Sequence, residues 1–289
     1  MAKDIWTSSR LKAYQTCPMK EALRYRKNLA PIGRKQALSI GTAIHKGIEM
    51  WDEEAGIEAL SFPFPSTQEE ADEQEVARTT VLGLLRGYYQ TFAPFEVHVP
   101  ELSFYLPMRT GKRSSRIFEI AGKIDDIATI NGQNWIVEYK TASKLDGSYF
   151  DRLYVDSQIT MYMTAAERLG FNPVGVIYRV LRKPQIRRGK TESVEQFLNR
   201  LESDIASRPD FYFMEKRLYR SKADLADFEQ MLYQEAKLAN TMYKQDRCYK
   251  HSTACSVYGA CEYLPLCMGE AGAEALYETR EPHEELKGD

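Results

Sequence analysis

Three residues near the middle of the chain could do chemistry together: Asp125 in "GKIDD", and Glu138 and Lys140 in "IVEYKTASK". Ile136 and Val137 suit a sheet interior, yet a carboxylate and an ammonium follow them without a turn. Residues two apart on a strand leave the same face, ~7 Å apart at ~3.3 Å per residue. Asn131-Gly132 between the two stretches is a hairpin signal, so the Asp125 strand folds back beside the Glu138 strand. Directly opposed residues of such a pair have Cβ atoms about 5 Å apart. Two carboxylates on adjacent strands with a lysine beside them form a pocket suited to a hard divalent cation such as Mg²⁺, and the lysine could hold an attacking water. Taken alone, Glu138 and Lys140 also describe a surface ion pair on a half-exposed strand.

The elements that must position these residues follow from pattern. Ser8 or Ser9 is an N-cap for a helix through Leu11, Tyr14 and Leu23. Ile40, Ile44, Ile48 and Trp51 recur at helical spacing in "SIGTAIHKGIEMWDEE". Ser66 and Glu69 read as a capping box for a long helix to about Phe92, with an acidic first turn that suits the positive helix end. The stretches 95–108, 116–130 and 134–140 are β-rich, and the last two form the hairpin. A helix over 154–170 ends at Gly170, "VGVIYRVLRK" is a buried strand, and helices cover 191–207 and 221–245, the first with Ser193 and Gln196 as its box. The acidic tail after Gly269 is expected to be loosely ordered. Helices, three strands, a helix, a strand and more helices make a mixed α/β (α+β) core with helical additions at both ends.

Composition narrows the class. The chain has 289 residues, 43% apolar and 28% charged, with net charge −2. That is ordinary globular composition, so a nucleic-acid partner must be met by a local patch. "MAKDIWTSSR" contains no apolar h-region of a secretory signal and no run is long enough to span a bilayer, so a soluble cytoplasmic protein is expected. No phosphate-binding G-x-x-x-x-G-K-[ST] loop occurs, which argues against an ATP-driven motor. Of the five cysteines, Cys248, Cys255, Cys261 and Cys267 fall near the C-terminus and Cys17 near the N-terminus. In a reducing compartment such clustering favours metal ligation over disulfides, and the C-x₂-C pairs of a zinc ribbon are absent.

"GKIDD" followed by "IVEYKT" resembles the core of the PD-(D/E)XK nuclease superfamily. The resemblance assigns the first motif's aspartate to Asp125, three residues after Gly122, and the (Asp/Glu)-x-Lys pair to Glu138 and Lys140. "SQITMY" is similar to the Gln-x-x-x-Tyr motif of RecB-like members, through Gln158 and Tyr162. "GTAIHKGIE" is similar to their Gly-x-x-x-His motif, through Gly41 and His45. "SSRLKAYQTCP" resembles the opening of members, including the CRISPR-associated exonuclease type, that carry an iron–sulfur cysteine there. The ordered set spans residues 8 to 267. It implies a restriction-endonuclease-like core sheet flanked by helices, the terminal additions being tied by a metal cluster. It also implies His45, Asp125 and Glu138 as ligands of Mg²⁺ or Mn²⁺, with Asp125, Glu138, Lys140, Gln158 and Tyr162 as catalytic residues. Gln158 would touch the site and Tyr162 would approach the DNA backbone. Cys17, Cys255, Cys261 and Cys267 match the plan of one N-terminal and three C-terminal cysteines. The wider spacing of the C-terminal trio leaves Cys248 as a competing ligand. Four thiolates suit a [4Fe–4S] cluster or Zn²⁺.

The expected organisation is one nuclease domain over 1–289: a helical part over 8–95, the core over 95–190, helices and cysteine cluster over 191–267, and an acidic tail over 270–289. Arg182, Lys183, Arg187 and Arg188, and a second group at Lys216, Arg217, Arg220 and Lys222, offer phosphate contacts, with Tyr178, Tyr212 and Tyr219 among them for stacking. The resemblance implies a metal-dependent DNA nuclease, in particular an exonuclease on single strands or ends, serving recombination, repair or CRISPR adaptation. A helicase, recombinase or integration complex would be a separate chain. The alternative is a non-catalytic iron–sulfur or zinc DNA-binding subunit, against which the intact Asp125, Glu138 and Lys140 argue.

Overall fold

The computed structural model describes residues 3–32, 40–62, 64–111, 113–256, 259–283 and 286. The chain opens with strand β1 (Asp4–Trp6), helices α1 (Ser8–Thr16) and α2 (Pro18–Glu21), a π-helical turn (Ala22–Arg26) and β2 (Leu29–Pro31). The single helix expected through Leu23 is therefore broken. Pro18 has no N–H to continue α1, and Cys17 before it is extended at φ −164°. The N-cap is Thr7, whose hydroxyl accepts the Arg10 N–H at 3.1 Å, so Ser8 and Ser9 lie in the first turn.

Helices α3 (Ile40–Met50), α4 (Glu53–Glu58) and α5 (Gln68–Thr91) follow. Ser39, the expected helix start, lies outside the described residues. The pattern continuing to Glu54 is interrupted at Trp51, which takes φ +50° and packs its ring 4.6 Å from that of Tyr89. Asp52 then caps α4. The cap of α5 is Thr67, one residue beyond the expected Ser66, and the Ser66 N–H donates to Glu70 instead of forming a box with Glu69.

The sheet comes next: β3 (Glu96–Thr110), β4 (Arg113–Ile130) and β5 (Gln133–Ala142). Asn131 and Gly132 both have positive φ, the geometry of a type I′ turn, as the hairpin signal predicts. Helix α6 (Gly147–Asp151), a 3₁₀ turn (Arg152–Val155) and α7 (Ser157–Arg168) cross over to β6 (Gly175–Arg182), which runs parallel to β5. Asp156 caps α7, so the expected helix starts three residues late, and Gly170 closes it at φ +89°. Helices α8 (Val194–Ser207) and α9 (Pro209–Tyr212) lead to β7 (Phe213–Leu218) and α10 (Lys222–Lys244). The Ser193–Gln196 capping box is present. A 3₁₀ turn (Ser252–Cys255), α11 (Leu264–Met268), another 3₁₀ turn (Ala273–Leu276) and β8 (Tyr277–Thr279) complete the chain.

The six-stranded sheet has the order β1-β4-β5-β6-β7, with β3 on β4. Apolar residues alternate to both faces. Leu11, Ile136, Met161 and Phe228 belong to the layer under α1, α7 and α10, and Ile44, Leu84, Val137 and Leu201 to the layer under α3, α5 and α8. Each such fully buried side chain contributes about 1.5–3 kcal/mol. Strands β1, β2, β7 and β8 are not legible in the sequence. They are short, and the charged run "EKR" in β7, with Glu215 and Arg217 exposed and Lys216 half-buried, hides the strand pattern. The acidic tail is not loose where β8 pairs with β2, from Thr279 opposite Leu29 to Tyr277 opposite Pro31.

Gly122 shows how closely the sheet is fitted. A Cβ there would meet the Phe104 ring of β3 at 2.6 Å and the Tyr162 ring of α7 at 3.2 Å. Gly122→Ala should therefore destabilise the fold by about 1–3 kcal/mol through overpacking. Urea unfolding measures this, and an unchanged midpoint would contradict the close approach.

Candidate active site

The site forms where the sheet opens. Strand β5 pairs with β4 only from Ile130–Gln133 to Asp126–Val137, and β1 pairs with it only at Phe118–Ile120. On that edge, Ala121 to Asp125 of β4 face a gap instead of a neighbouring strand. The N-terminus of α1, reached directly from β1, and α3 line the gap. The result is a groove of about 1080 Å³ that includes Ser8, His45, Asp125, Lys140, Gln158 and Tyr162 in its walls.

Backbone and side chains exchange roles at the opening. Tyr139 would have donated to β4; its N–H donates to the Asp125 carboxylate, Oδ2, at 2.9 Å. The donor is satisfied and Asp125 is fixed beside the neighbouring strand. Glu138 is only 2% exposed. Its Oε1 accepts from Lys140 Nζ and from Gln158 Nε2, the latter at 2.9 Å. Gln158 also donates to the Tyr162 hydroxyl at 3.0 Å, as one helical face permits for residues four apart. Asp156 sets the start of that helix by accepting from the Gln158 N–H at 2.8 Å. His45 Nδ1 stands 3.7 Å from Asp125 Oδ2. Thus Asp125, Glu138, Lys140, Gln158, Tyr162 and His45 are brought together.

Electrostatics follow from the burial. Desolvation raises the Glu138 pKa, the charge of Asp125 raises it further, and Lys140 opposes both. Burial works against the Lys140 charge, but Glu138 and Asp125 prevail and its pKa is raised. Desolvation lowers the His45 pKa despite Asp125, which favours the neutral imidazole that ligates metals. Glu138 Oε2 is buried with no hydrogen-bond partner among the described residues. An orphaned carboxylate oxygen near a second carboxylate fits a hard cation. Among the described residues, no three His, Cys, Asp or Glu side chains are already gathered in a metal-binding arrangement.

Asp126 points to the opposite face with Val137 and Tyr139. It belongs to a network that sequence reasoning missed, in which buried Arg179 donates to the Tyr88 hydroxyl at 2.6 Å and to Glu215 at 3.0 Å. A second Asp beside the first was the available signal.

The expected DNA-binding residues do not line the groove. Arg182 donates to the carbonyls of Phe211 and Leu145, at 2.9 and 3.0 Å, and Arg188 to that of Glu192 at 2.8 Å. In the second group, Lys222 pairs with Glu167 and Arg217 with Glu215. Arg220 donates to the Leu153 carbonyl at 2.8 Å and the Thr160 hydroxyl at 2.9 Å, holding the entry to α7.

Cys17, Cys255, Cys261 and Cys267 line one small, largely apolar cavity, across which the two ends of the chain meet. The His251 N–H donates to Cys17 Sγ at 3.4 Å, and Cys255 Sγ donates to the His251 carbonyl at 3.6 Å. Burial raises the Cys267 thiol, Lys250 opposes this, and the other three thiols raise it further. Cys248 does not line that cavity, and the charges of Glu21 and Arg26 act on it instead. All four cavity cysteines are free thiols, a donor set that suits soft metals or iron–sulfur clusters.

A family model of the PD-(D/E)XK nuclease superfamily matches residues 5–268. The chain belongs to this superfamily, whose nucleases are metal-dependent phosphodiesterases and generally use Mg²⁺ or Mn²⁺. Among solved structures it is similar to a protein of Eubacterium rectale named as a candidate exonuclease, at 11% identity and TM-score 0.49, over 91% of this chain and 87% of that one. It is also similar to the crystal structure of SSO0001, at 13% identity and TM-score 0.35, over 89% of this chain and 87% of that one. No curated protein sequence matches it. Among the described residues no helix is long and apolar enough to cross a membrane.

Burial, and then the charge of Asp125, pushes the Asp126 carboxyl up to about 6. An acid whose folded pKa exceeds its unfolded value binds its proton more tightly when folded. The stability it contributes is full below about pH 4 and is lost as pH rises through about 6. Asp126→Asn should flatten this decline by on the order of 2–3 kcal/mol. Urea titrations of metal-free protein from pH 4 to 7.5 measure it, and parallel curves for the two proteins would refute it.

Proposed function

We propose that this protein is a divalent-metal-dependent DNA nuclease of the RecB-like type, acting as an exonuclease on single strands or DNA ends in recombination, repair or CRISPR adaptation. One observation carries the reading. Asp125, Glu138, Lys140 and Gln158 converge where the β4–β5 ladder ends, and a buried Glu138 oxygen there lacks a partner among the described residues. Asp125, Glu138 and His45 would hold the cation. When bound, it would lower the pKa of an attacking water and offset charge on the phosphodiester. Gln158 anchors Glu138 Oε1, which leaves Oε2 for the cation. The Tyr139 N–H orients Asp125. Lys140, held charged by its carboxylates, orients the water and opposes negative charge that develops in the transition state. Tyr162 faces the groove where the DNA backbone would approach. The single-domain organisation over 1–289 is part of the same proposal, as are DNA contacts by Arg182, Lys183, Arg187 and Arg188 outside the groove.

The test is digestion of end-labelled single- and double-stranded DNA with Mg²⁺, Mn²⁺ or EDTA. Lys140→Ala should slow single-turnover cleavage about 10²–10³-fold while DNA affinity is kept. Asp125→Ala and Glu138→Ala should lose cleavage together with calorimetric Mn²⁺ binding. Full cleavage by folded Lys140→Ala and Glu138→Ala would sink the assignment.

The four cavity cysteines would hold a [4Fe–4S] cluster, or Zn²⁺ as the alternative, in a structural role clasping the chain ends. Their shared apolar cavity supports this. Anaerobically purified protein should be brown with about four irons per chain, and Cys261→Ser should lose the colour and become protease-sensitive. Stoichiometric zinc would select the alternative, and stable metal-free protein would exclude both.

A further inference from the structure

The 3₁₀ turn Arg152–Val155 is exposed in an unusual way. Tyr154 is 54% and Val155 81% solvent-exposed, although the turn leads directly into α7, which carries Gln158 of the site. The turn is held firmly: Arg220 donates to the Leu153 carbonyl at 2.8 Å, and Leu153 itself is buried. An arginine is thus used to present an aromatic ring to solvent.

Two cations flank it. The Arg152 guanidinium lies 4.3 Å from the Tyr149 ring centroid and Lys216 Nζ 5.5 Å from that of Tyr154. Neither has a carboxylate partner among the described residues, unlike Arg217 and Lys222 nearby. The register connects them to the site. Glu138 of β5 pairs with Tyr178 of β6, which pairs with Lys216 of β7. Register partners share a face, so Lys216 lies on the Glu138 face two strand spacings away, about 10 Å. The intervening space is bridged by Tyr178 and Tyr149, whose hydroxyls are 3.0 Å apart.

We propose that Tyr154, with Arg152 and Lys216, is a stacking platform for unpaired bases of a single DNA strand engaged in the adjacent site. The inference rests on the nuclease reading. Every base offers a π-face, and an exposed tyrosine supported from behind by a cation suits stacking without sequence preference. Cations with no carboxylate partner among the described residues, Lys216 being on the Glu138 face of the sheet, suit the backbone of that strand. The same features give a duplex little, because its bases are already stacked.

The experiment uses full-length protein carrying Lys140→Ala, with fluorescent oligothymidylate and a blunt duplex of equal length as probes. Tyr154→Ala should weaken oligothymidylate binding roughly tenfold and duplex binding less than twofold. Tyr154→Phe should bind as the parent does. Lys216→Ala and Arg152→Ala should each reduce the salt dependence of single-strand binding by about one ion. In cleavage-competent protein, Tyr154→Ala should raise KM for oligothymidylate and leave kcat. Unchanged single-strand affinity and KM, or equal losses on both probes, overturn the platform while wild-type cleavage still upholds the nuclease reading. Wild-type protein that neither binds nor cuts DNA overturns both.

Discussion

The parting of β4 and β5 after the Asp126–Val137 pair is the constraint on which the site depends. A sheet whose strands separate leaves backbone groups without partners, and a buried one costs on the order of a hydrogen bond's desolvation, ~1–3 kcal/mol. The Asp125 carboxylate meets the Tyr139 N–H in place of a strand carbonyl. The substitution keeps the fold whole and aims a carboxylate at the gap. Helices α1 and α3 then close the gap into a groove instead of leaving it to solvent.

The same parting explains the opposite roles of neighbouring residues. Asp125 belongs to the groove and Asp126 to the reverse face. Glu138 and Lys140 belong to the groove, and Tyr139 between them packs against Tyr88. Each face is polar at its centre in an otherwise apolar sheet. On the reverse face the polar groups satisfy one another through Arg179, which also lies 4.0 Å over the rings of both Phe92 and Phe95. On the groove face Glu138 retains an unused oxygen. That asymmetry separates a structural network from a surface suited to an external cation.

The two ends of the chain are joined away from the groove. Arg10, 2% exposed, bonds to Asp4 and to buried Glu21, and Arg26 completes the group. Buried charges of this kind are tolerable only when paired. They fix β1, α1 and the π-helical turn as one block. That block carries Cys17 to the C-terminal cysteines and β2 to β8. Because β1 leads directly into α1, order at the chain ends is transmitted to a wall of the groove.

Much of this was written locally. The Asn131-Gly132 turn, the Ser193–Gln196 box, Gly170 and the alternation of β5 are short-range rules, and the structure obeys them. The motif residues Asp125, Glu138, Lys140, Gln158 and Tyr162 converge for the same reason, because strand and helix periods fix which face each one takes. Boundaries shifted where two caps competed, as at Ser66 and Thr67, or where packing overrode pattern, as at Trp51. Long-range pairing was invisible to sequence. Nothing local announces that "DIW" adds a parallel strand to β4 or that "YET" pairs with "LAP", since such strands are held by partners far along the chain. Charge was the least legible property. Arg182, Arg188 and Arg220 look like free cations in a sequence, but only the tertiary structure supplies the carbonyls they bind. Arg152 and Lys216, which look no different, lie over tyrosine rings without a carboxylate partner among the described residues.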